Sequence, residues 1–417
     1  MKKDWQESIK TVLVARRAAQ FSFLAKLVNM RSESSSEDYS GLIEYLTDVA
    51  EELGFDVESD VIETADNLGE EQVLNANLIV RHSFGPGPVI ALSTNVDTAP
   101  VGEGWKHDPF GGAILAGKMY GRGVATSKGD IAAYLYALRG LCDADLTISG
   151  TVEIHLYFDG EKGGELGSER LLENNLTHPD MVISGGSNHS IISSVRGCLR
   201  LLIEVIGRQV PQAKPENGGD AVETATSILT ALSEIRSECN SIASEIVGIG
   251  TAALSIVRID GVHGVTAQAG KVTIEIDRYL IPEEDPKVVE GELTNRIGLA
   301  SIGRGGAVCR VRKLKLQETM TSAQGSQQLI DVLQKHSLNE GEVELPVMGA
   351  GYASGGRHYA SRGIPTVFYG SGPKNAETAG INGPDEFLEL DDLRRATSTI
   401  TMTLASLLGD EADKVEP

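Results

Sequence analysis

Cysteine is scarce in this 417-residue chain. There are four, Cys142, Cys198, Cys239 and Cys309, far apart and without a C-x-x-C pair. They read as reduced thiols of a cytoplasmic protein and not as a disulfide framework. Positive charge is in deficit too: 37 Lys and Arg stand against 59 Asp and Glu, a net charge of −22. That balance argues against nucleic acid and anionic membrane as partners, since both are held by basic patches. No uninterrupted apolar run approaches the roughly 20 residues of a membrane span. The opening "MKKDWQESIKTVLVARRAAQ" has Asp, Glu and Lys after its first lysines. It reads as an amphipathic surface helix and not as a signal peptide. There is no internal repeat, no low-complexity tract and no G-x-S-x-G elbow. "YGSGP" around Ser371 reads as a loop at a strand end. "GRGVATSKGD" lacks the spacing of a phosphate-binding loop.

What is present is an alternation of helical and strand-like segments. "SGLIEYLTDVAEELGFDVE" has helical spacing and stops at Gly54, while "ANLIVRH" and "GPVIALST" are short, nearly continuous apolar runs. "DIAAYLYALRGLC" is helical again, and "GTVEIHLYFDG" alternates as a strand does. Such a series predicts an α/β sheet covered on both faces. The pattern changes near residue 195. "GCLRLLIEVIGR", "DAVETATSILTALSEIRSE", "GTAALSIVRIDG", "KVTIEIDRYLIP", "PKVVEGELTNRIGLA" and "AVCRVRKLKLQ" read as a β-α-β-β-α-β unit. After it the chain returns to α/β. The expected layout is therefore residues 1–194 plus 316–417 as one α/β domain, with 195–315 inserted as a smaller one.

Several short motifs follow one another in a recognisable order: "WKHDPFGG" from Trp105, "GKMYGRG" ending at Gly123, "SKG" around Lys128 and "GELGSERLLE" from Gly164. "PEED" from Pro282, "RGIPTVFYG" ending at Gly370 and "GPDEF" ending at Phe387 complete the series. In this the chain resembles the aminoacylase, carboxypeptidase G, acetylornithine deacetylase and succinyl-diaminopimelate desuccinylase family of zinc exopeptidases, over nearly everything after residue 30. The resemblance implies a hydrolase-like zinc-exopeptidase α/β sheet domain carrying an inserted ferredoxin-like α+β dimerisation domain. It also implies two zinc ions held by His and carboxylate ligands, with a general-base Glu.

Carried onto this chain residue by residue, those roles fall on unexpected side chains. The first His ligand stands at Asn95, with its carboxylate companion kept as Asp97. The bridging Asp is Thr126, the Glu-Glu pair is Gly160-Glu161, the next acidic ligand is near Gly186, and the last His is Asn382. The carbonyl-polarising His of the insert falls on Pro211, and the usual Asn on Asp220. The carboxylate-binding Arg slot holds Tyr279, with Arg278 beside it, and a Thr-Asp-like pair has become Ser354-Gly355. Asn amide oxygen is a poor zinc ligand, and Gly and Pro offer no donor.

The sequence thus leads to an expectation of a pseudoenzyme with a degenerate zinc site: no stoichiometric zinc, only the remnants Asp97 and Glu161, and no hydrolysis by the family's route. A small amino-acid-like or acyl-amino-acid-like ligand, or a protein partner, is expected at Asn95, Thr126, Gly186, Arg278, Tyr279, Gly355, His358 and Asn382. The Gly-rich segment 349–359 is a further candidate for cradling an anion. A metal-free enzyme using Asp97, Glu161, His189 or Lys128 is the alternative, and a zinc-dependent amidohydrolase with shifted ligand positions is the third reading. Lys128 reads first as a brace of a helix start, and His189 and His358 read first as structural or surface histidines. A homodimer through the inserted domain is expected from the resemblance.

Overall fold

The computed structural model describes residues 5–34, 38–65, 71–207, 220–262, 270–302, 307–321, 323, 325–338, 344–351 and 355–409. Pro211 and Ser354 lie outside the described residues. The chain divides into two compact units, one of residues 1–193, 322–347 and 354–417, the other of 194–321 and 348–353.

The first unit opens with two helices, α1 (Trp5–Asn29) and α2 (Ser40–Glu52). Strands β1 (Asp56–Ala65), β2 (Glu71–Gly85) and β3 (Val89–Asn95) follow, then the short β4 (Ala113–Leu115) and β5 (Lys118–Tyr120). Helix α3 (Ser127–Asp143), β6 (Gly150–Tyr157), the short α4 (Arg170–Glu173), β7 (Met181–Ser184) and β8 (Ile191–Val195) lead to the unit boundary. The second unit holds β9 (Gly197–Ile206), α5 (Ala221–Cys239), β10 (Ala253–Val262), β11 (Lys271–Leu280), α6 (Pro286–Ser301) and β12 (Val308–Gln317). The chain returns through α7 (Ser326–Leu338), β13 (Val347–Ala350), α8 (Gly356–Ala360), β14 (Thr366–Phe368), β15 (Phe387–Glu389) and α9 (Leu390–Leu408).

The large sheet has the order β1-β2-β6-β3-β7-β14-β8-β13. Its centre is parallel: β3 runs parallel to β6 and β7, and β14 parallel to β7. That explains the near-continuous apolar sequence of β3, whose residues Ile90 to Thr94 are all buried. Helix α3 is almost wholly buried and packs with α1 and α9 on the sheet. This is why "IAAYLYAL" lacks a polar stripe. Parallel strands deliver their C-terminal ends to one edge of the sheet, the usual place for a site in an α/β domain. Asn95, Tyr157 and Ser184 stand at those ends.

The second unit is a four-stranded antiparallel sheet in the order β10-β11-β9-β12. Alternate residues of β9, Leu199, Leu201, Ile203 and Val205, join Ile274 and Ile276 of β11 and α5 and α6 in a separate core. Asp220 caps α5 by accepting from Val222 N and Glu223 N, and Asp285 caps α6 ahead of Pro286. Contacts extend this unit to residue 321 and add 348–353. The sequence pattern puts its end at 315, where the helical and strand-like alternation resumes; that point falls inside β12, which runs to Gln317. The Gly-rich stretch expected to cradle an anion is thereby divided, Gly349 donating to Val247 O within the second unit and Gly355 belonging to the first. Among the described residues no helix is long and apolar enough to cross a membrane.

Candidate active site

At the C-terminal end of β3 the chain turns so that Asp97 is fully buried. Its carboxylate is clamped by backbone: Gly160 N donates to Oδ1 at 2.8 Å and Glu161 N to Oδ2 at 2.9 Å. Asn95 Nδ2 adds a bond to Oδ1 at 3.1 Å and another to the Asp97 carbonyl at 2.8 Å. Burial raises the Asp97 pKa, and these bonds oppose the rise. The clamp ties the loop after β3 to the loop after β6 and thereby sets the position of Glu161. The Glu161 carboxyl is pushed up to about 7, first by partial burial of the carboxyl and then by the negative charges of Asp97 and Glu386, with Arg122 pulling the other way. Its side chain nevertheless reaches solvent, so a small molecule can meet it. Asp159, two residues earlier, is raised to about 6 by burial, while Leu166 N donates to its Oδ2 at 2.7 Å.

Arg122 and Glu386 form a fully buried ion pair at 2.7 Å. Arg122 also donates to the carbonyls of Pro100, Val101 and Asn382, and Glu386 accepts from Ala125 N at 3.1 Å. This pair staples the loops after β3, β5 and β14 around the site. Lys128 is buried, and its Nζ donates to Met30 O at 2.7 Å; burial lowers its pKa to about 7, with Glu386 and Glu33 acting against that. Asp130, one turn further along α3 than Thr126, is fully enclosed. Its Oδ1 accepts from Ser371 N at 2.7 Å and Ser371 Oγ at 3.1 Å, and burial raises it to about 7.

The other candidates are distributed as follows. Thr126 is the residue before α3, its carbonyl accepting from Asp130 N, and the Gly186 carbonyl accepts from Gly372 N. Asn382 has φ of +59°, a left-handed conformation that Asn tolerates, and it meets Arg122 through its carbonyl. His189 Nε2 lies 3.1 Å from Asp392 Oδ1. His358 is buried, bonds the Gly163 carbonyl through Nε2 at 3.1 Å, and is held neutral by burial, its pKa lowered to about 4. A Cβ on Gly355 would meet Tyr157 Oη at 2.5 Å, so this glycine is a packing requirement. Arg278 and Tyr279 belong to the second unit, where Arg278 is buried, ion-paired with Glu284 and bonded to the Tyr279 carbonyl. Sequence reading passed over Glu386, although it lies inside the quoted "GPDEF". It also passed over Arg122 and Asp130.

The family's metal can be tested against these residues. A Cβ on Gly160 would come 2.3 Å from Asn95 Cβ. Asn95 thus occupies the space of a longer side chain there. A Cβ on Gly186 would sit 3.1 Å from the Phe368 carbonyl carbon. Among the described residues no group of three or more His, Cys, Asp or Glu is placed to hold a metal ion. The chemistry that follows rests on the side chains themselves.

Residues 91–406 match the family described as Peptidase family M20/M25/M40. Among curated proteins the chain is 31% identical over 213 residues to succinyl-diaminopimelate desuccinylase of Gluconacetobacter diazotrophicus, covering 49% of this chain and 54% of that one. It is 32% identical over 133 residues to the desuccinylase of Wolinella succinogenes, covering 32% and 35%. The chain therefore spans about half the length, or less, of the curated relatives it matches. Among solved structures it is similar to human carnosine dipeptidase 1, with a TM-score of 0.74 at 15% identity, covering 96% of this chain and 98% of that one. A Bacillus subtilis protein described as a dinuclear metal binding peptidase gives 0.68 at 14% identity, covering 94% and 99%. At such identities the structural likeness shows the fold.

Two expectations are corrected by these findings. A non-hydrolytic pseudoenzyme was expected from the ligand positions Asn95, Thr126, Gly186 and Asn382, the base position Gly160 and the polarising position Pro211, but the matching family is one of peptidases and the matching relatives are desuccinylases. The absence of zinc was expected from Asn95, Thr126, Gly186 and Asn382, but a structural neighbour is described as binding two metal ions. Side chains at single expected ligand positions do not establish what the whole site binds or does. By its match over residues 91–406, the chain belongs to Peptidase family M20/M25/M40.

Proposed function

We propose that the protein hydrolyses an amide bond in a small N-acyl amino acid or short peptide, with Glu161 as the group that moves the proton. One observation carries this reading: a backbone-clamped Asp97 at the strand end fixes a solvent-reaching Glu161 whose carboxyl titrates at about 7. A base works best with a pKa near the working pH, since it is then both ionised and able to bind a proton. Ionised Glu161 takes the proton from a water attacking the substrate carbonyl, and protonated Glu161 returns it to the departing amine nitrogen. Asp97 holds the Glu161 backbone in place, and its charge keeps the Glu161 carboxyl basic. The acidic surroundings of Glu161 suit the amine that develops in the product. A metal ion, as described for the Bacillus subtilis neighbour, would supply polarisation of the carbonyl and acidification of the water.

The substrate class follows the names of the relatives, a desuccinylase and a dipeptidase. A cytoplasmic location and a homodimer through the second unit belong to the same reading. The four cysteines are free, in keeping with a reducing compartment. The test is hydrolysis of a panel of N-acyl amino acids and dipeptides by wild type and Glu161→Gln. Each is assayed with chelator, with zinc and with cobalt. Turnover that disappears in the variant supports the proposal. A folded wild type inert under all three conditions overturns it. The response to metal against chelator reports whether a bound ion assists.

A further inference from the structure

A pocket of about 250 Å³ opens between α1 and α9, and none of its lining residues belongs to the site above. One stripe of α1 lines it with Lys10, Arg17 and Gln20, and a facing stripe of α9 with Arg394, Thr397 and Ser398. The spacings, i, i+7, i+10 on one helix and i, i+3, i+4 on the other, put each set on a single face. Helices that face each other along such stripes ordinarily present apolar side chains. Here three cations converge and no acidic side chain is among the lining residues, in a chain whose net charge is −22.

The floor of the pocket is built and polar. Gln20, Thr397 and Ser398 are 4%, 2% and 4% exposed. Gln20 Nε2 donates to Ala132 O at 3.1 Å and to Thr397 Oγ1 at 2.7 Å, which fixes its amide and the hydroxyl beside it. The neighbouring cations are satisfied within the protein: Arg16 by Asp143 and Arg395 by Asp391 and Asp392. Arg394 bonds Asp391 through Nε at 2.8 Å. Arg17 has no ion-pair partner among the described residues. Arg394 is thus partly neutralised by Asp391, and an anion in the pocket would meet the Arg17 charge beside Lys10 and Arg394.

We propose that this pocket is a binding site for a small oxyanion with two or more negative charges, of the phosphate or polycarboxylate kind. Guanidinium groups offer parallel N–H donors that match the oxygens of such groups, and Lys10 adds a point charge. The volume lies just below the roughly 300–1,000 Å³ of pockets for drug-sized ligands, which limits the occupant to a small molecule. Leu13 and Val14, also in the lining, give its carbon atoms an apolar wall. The position, on the helical layer away from Asp97 and Glu161 in sequence and lining, is that of an effector site and not of a substrate subsite.

The experiment uses the full chain. Inorganic phosphate and citrate are each titrated by calorimetry and thermal denaturation against sodium chloride at matched ionic strength. The expected result is saturable binding of one anion per chain, with a rise in Tm that chloride does not reproduce. Arg17→Gln and Lys10→Gln, both at half-buried surface positions, should each weaken binding about tenfold, the loss of one charge-assisted contact. Amide hydrolysis without added anion should be unchanged in both variants. Preference for phosphate or for citrate identifies the source of the oxyanion. Equal shifts with phosphate, citrate and chloride overturn the proposal, as does undiminished anion binding in the two variants.

Discussion

Glu161 and Glu153 show how burial and partners pull two glutamates in opposite directions. Glu161 is raised from 4.5 to about 7. As a base it must be ionised, so kcat/KM should rise with pH and level off above about 7. Glu161→Gln should cost about 100- to 10,000-fold and abolish that limb. A pH profile of both proteins checks this. The same shift sets a stability trend, because the folded chain binds this proton more tightly than the unfolded one. Its contribution is full below 4.5 and lost as pH rises through about 7. Glu153 lies in the sheet, and burial opposes its ionisation. His155, Arg81 and Thr177 outweigh burial by hydrogen bonds and charge and hold it at about 2. His155 in turn meets Tyr359 Oη at 2.7 Å, so the set locks α8 to the sheet. The stabilisation by Glu153 is present above 4.5 and lost as pH falls through about 2. A shift of this size corresponds to about 3 kcal/mol. Urea denaturation at pH 7 should show Glu153→Gln less stable by about that amount, with a flatter acid limb. Little of this was legible in the sequence. A lone Asp in a helical run, such as Asp130, looks solvent-facing until the fold encloses it. The exchange between Asn95 and Gly160 shows only when the two loops are brought together.

The edges of the second sheet differ in what they allow. β12 presents Arg310, Arg312, Lys313 and Lys315. Pairing with a second copy would oppose like charges, which protects that edge. β10 presents Val257 and Ile259, 46% and 53% exposed, with Arg258 and Asp260 around Ile259. An antiparallel pairing about Ile259 sets each Arg258 opposite the Asp260 of the second copy. If the protein dimerises as proposed, β10 is the edge that pairs. Light scattering should find a dimer that Ile259→Lys converts to monomer and Leu314→Lys on β12 does not disturb. A monomeric wild type contradicts this. Elements of this kind were readable in advance, since alternation in "GCLRLLIEVIGR" and helical spacing in "DAVETATSILTALSEIRSE" are set by a local period. Strand order was not readable: which edges stay free depends on pairings between residues far apart, such as Cys309 with Val205.

Among the described residues each unit has its own large hydrophobic core, and the first also holds a smaller cluster of Ala91, Leu172, Val182 and Tyr359. The two tryptophans, Trp5 and Trp105, both belong to the first unit. Leu201→Ala, in the second core, should cost about 2–5 kcal/mol. That loss should appear in far-ultraviolet circular dichroism, while the midpoint read by tryptophan fluorescence stays in place. Coincident shifts of the two probes contradict independent cores. The motif order from Trp105 to Phe387 made the family legible at this scale, because many weak echoes in one sequence order are collectively specific. Site chemistry is less legible, because it depends on a few side chains that such echoes surround without including.

The buried pairing of Arg122 with Glu386 joins residues 264 positions apart. During synthesis Arg122 emerges long before its partner, and at about 5–20 residues per second the interval is some tens of seconds. Through that time a guanidinium destined for complete burial has only water or a provisional partner, and the loops it will gather stay open. The surroundings of Glu161 are thus unfinished on the nascent chain until the segment around residue 386 has been made, and a chain that ends earlier lacks the carboxylate that Arg122 pairs with.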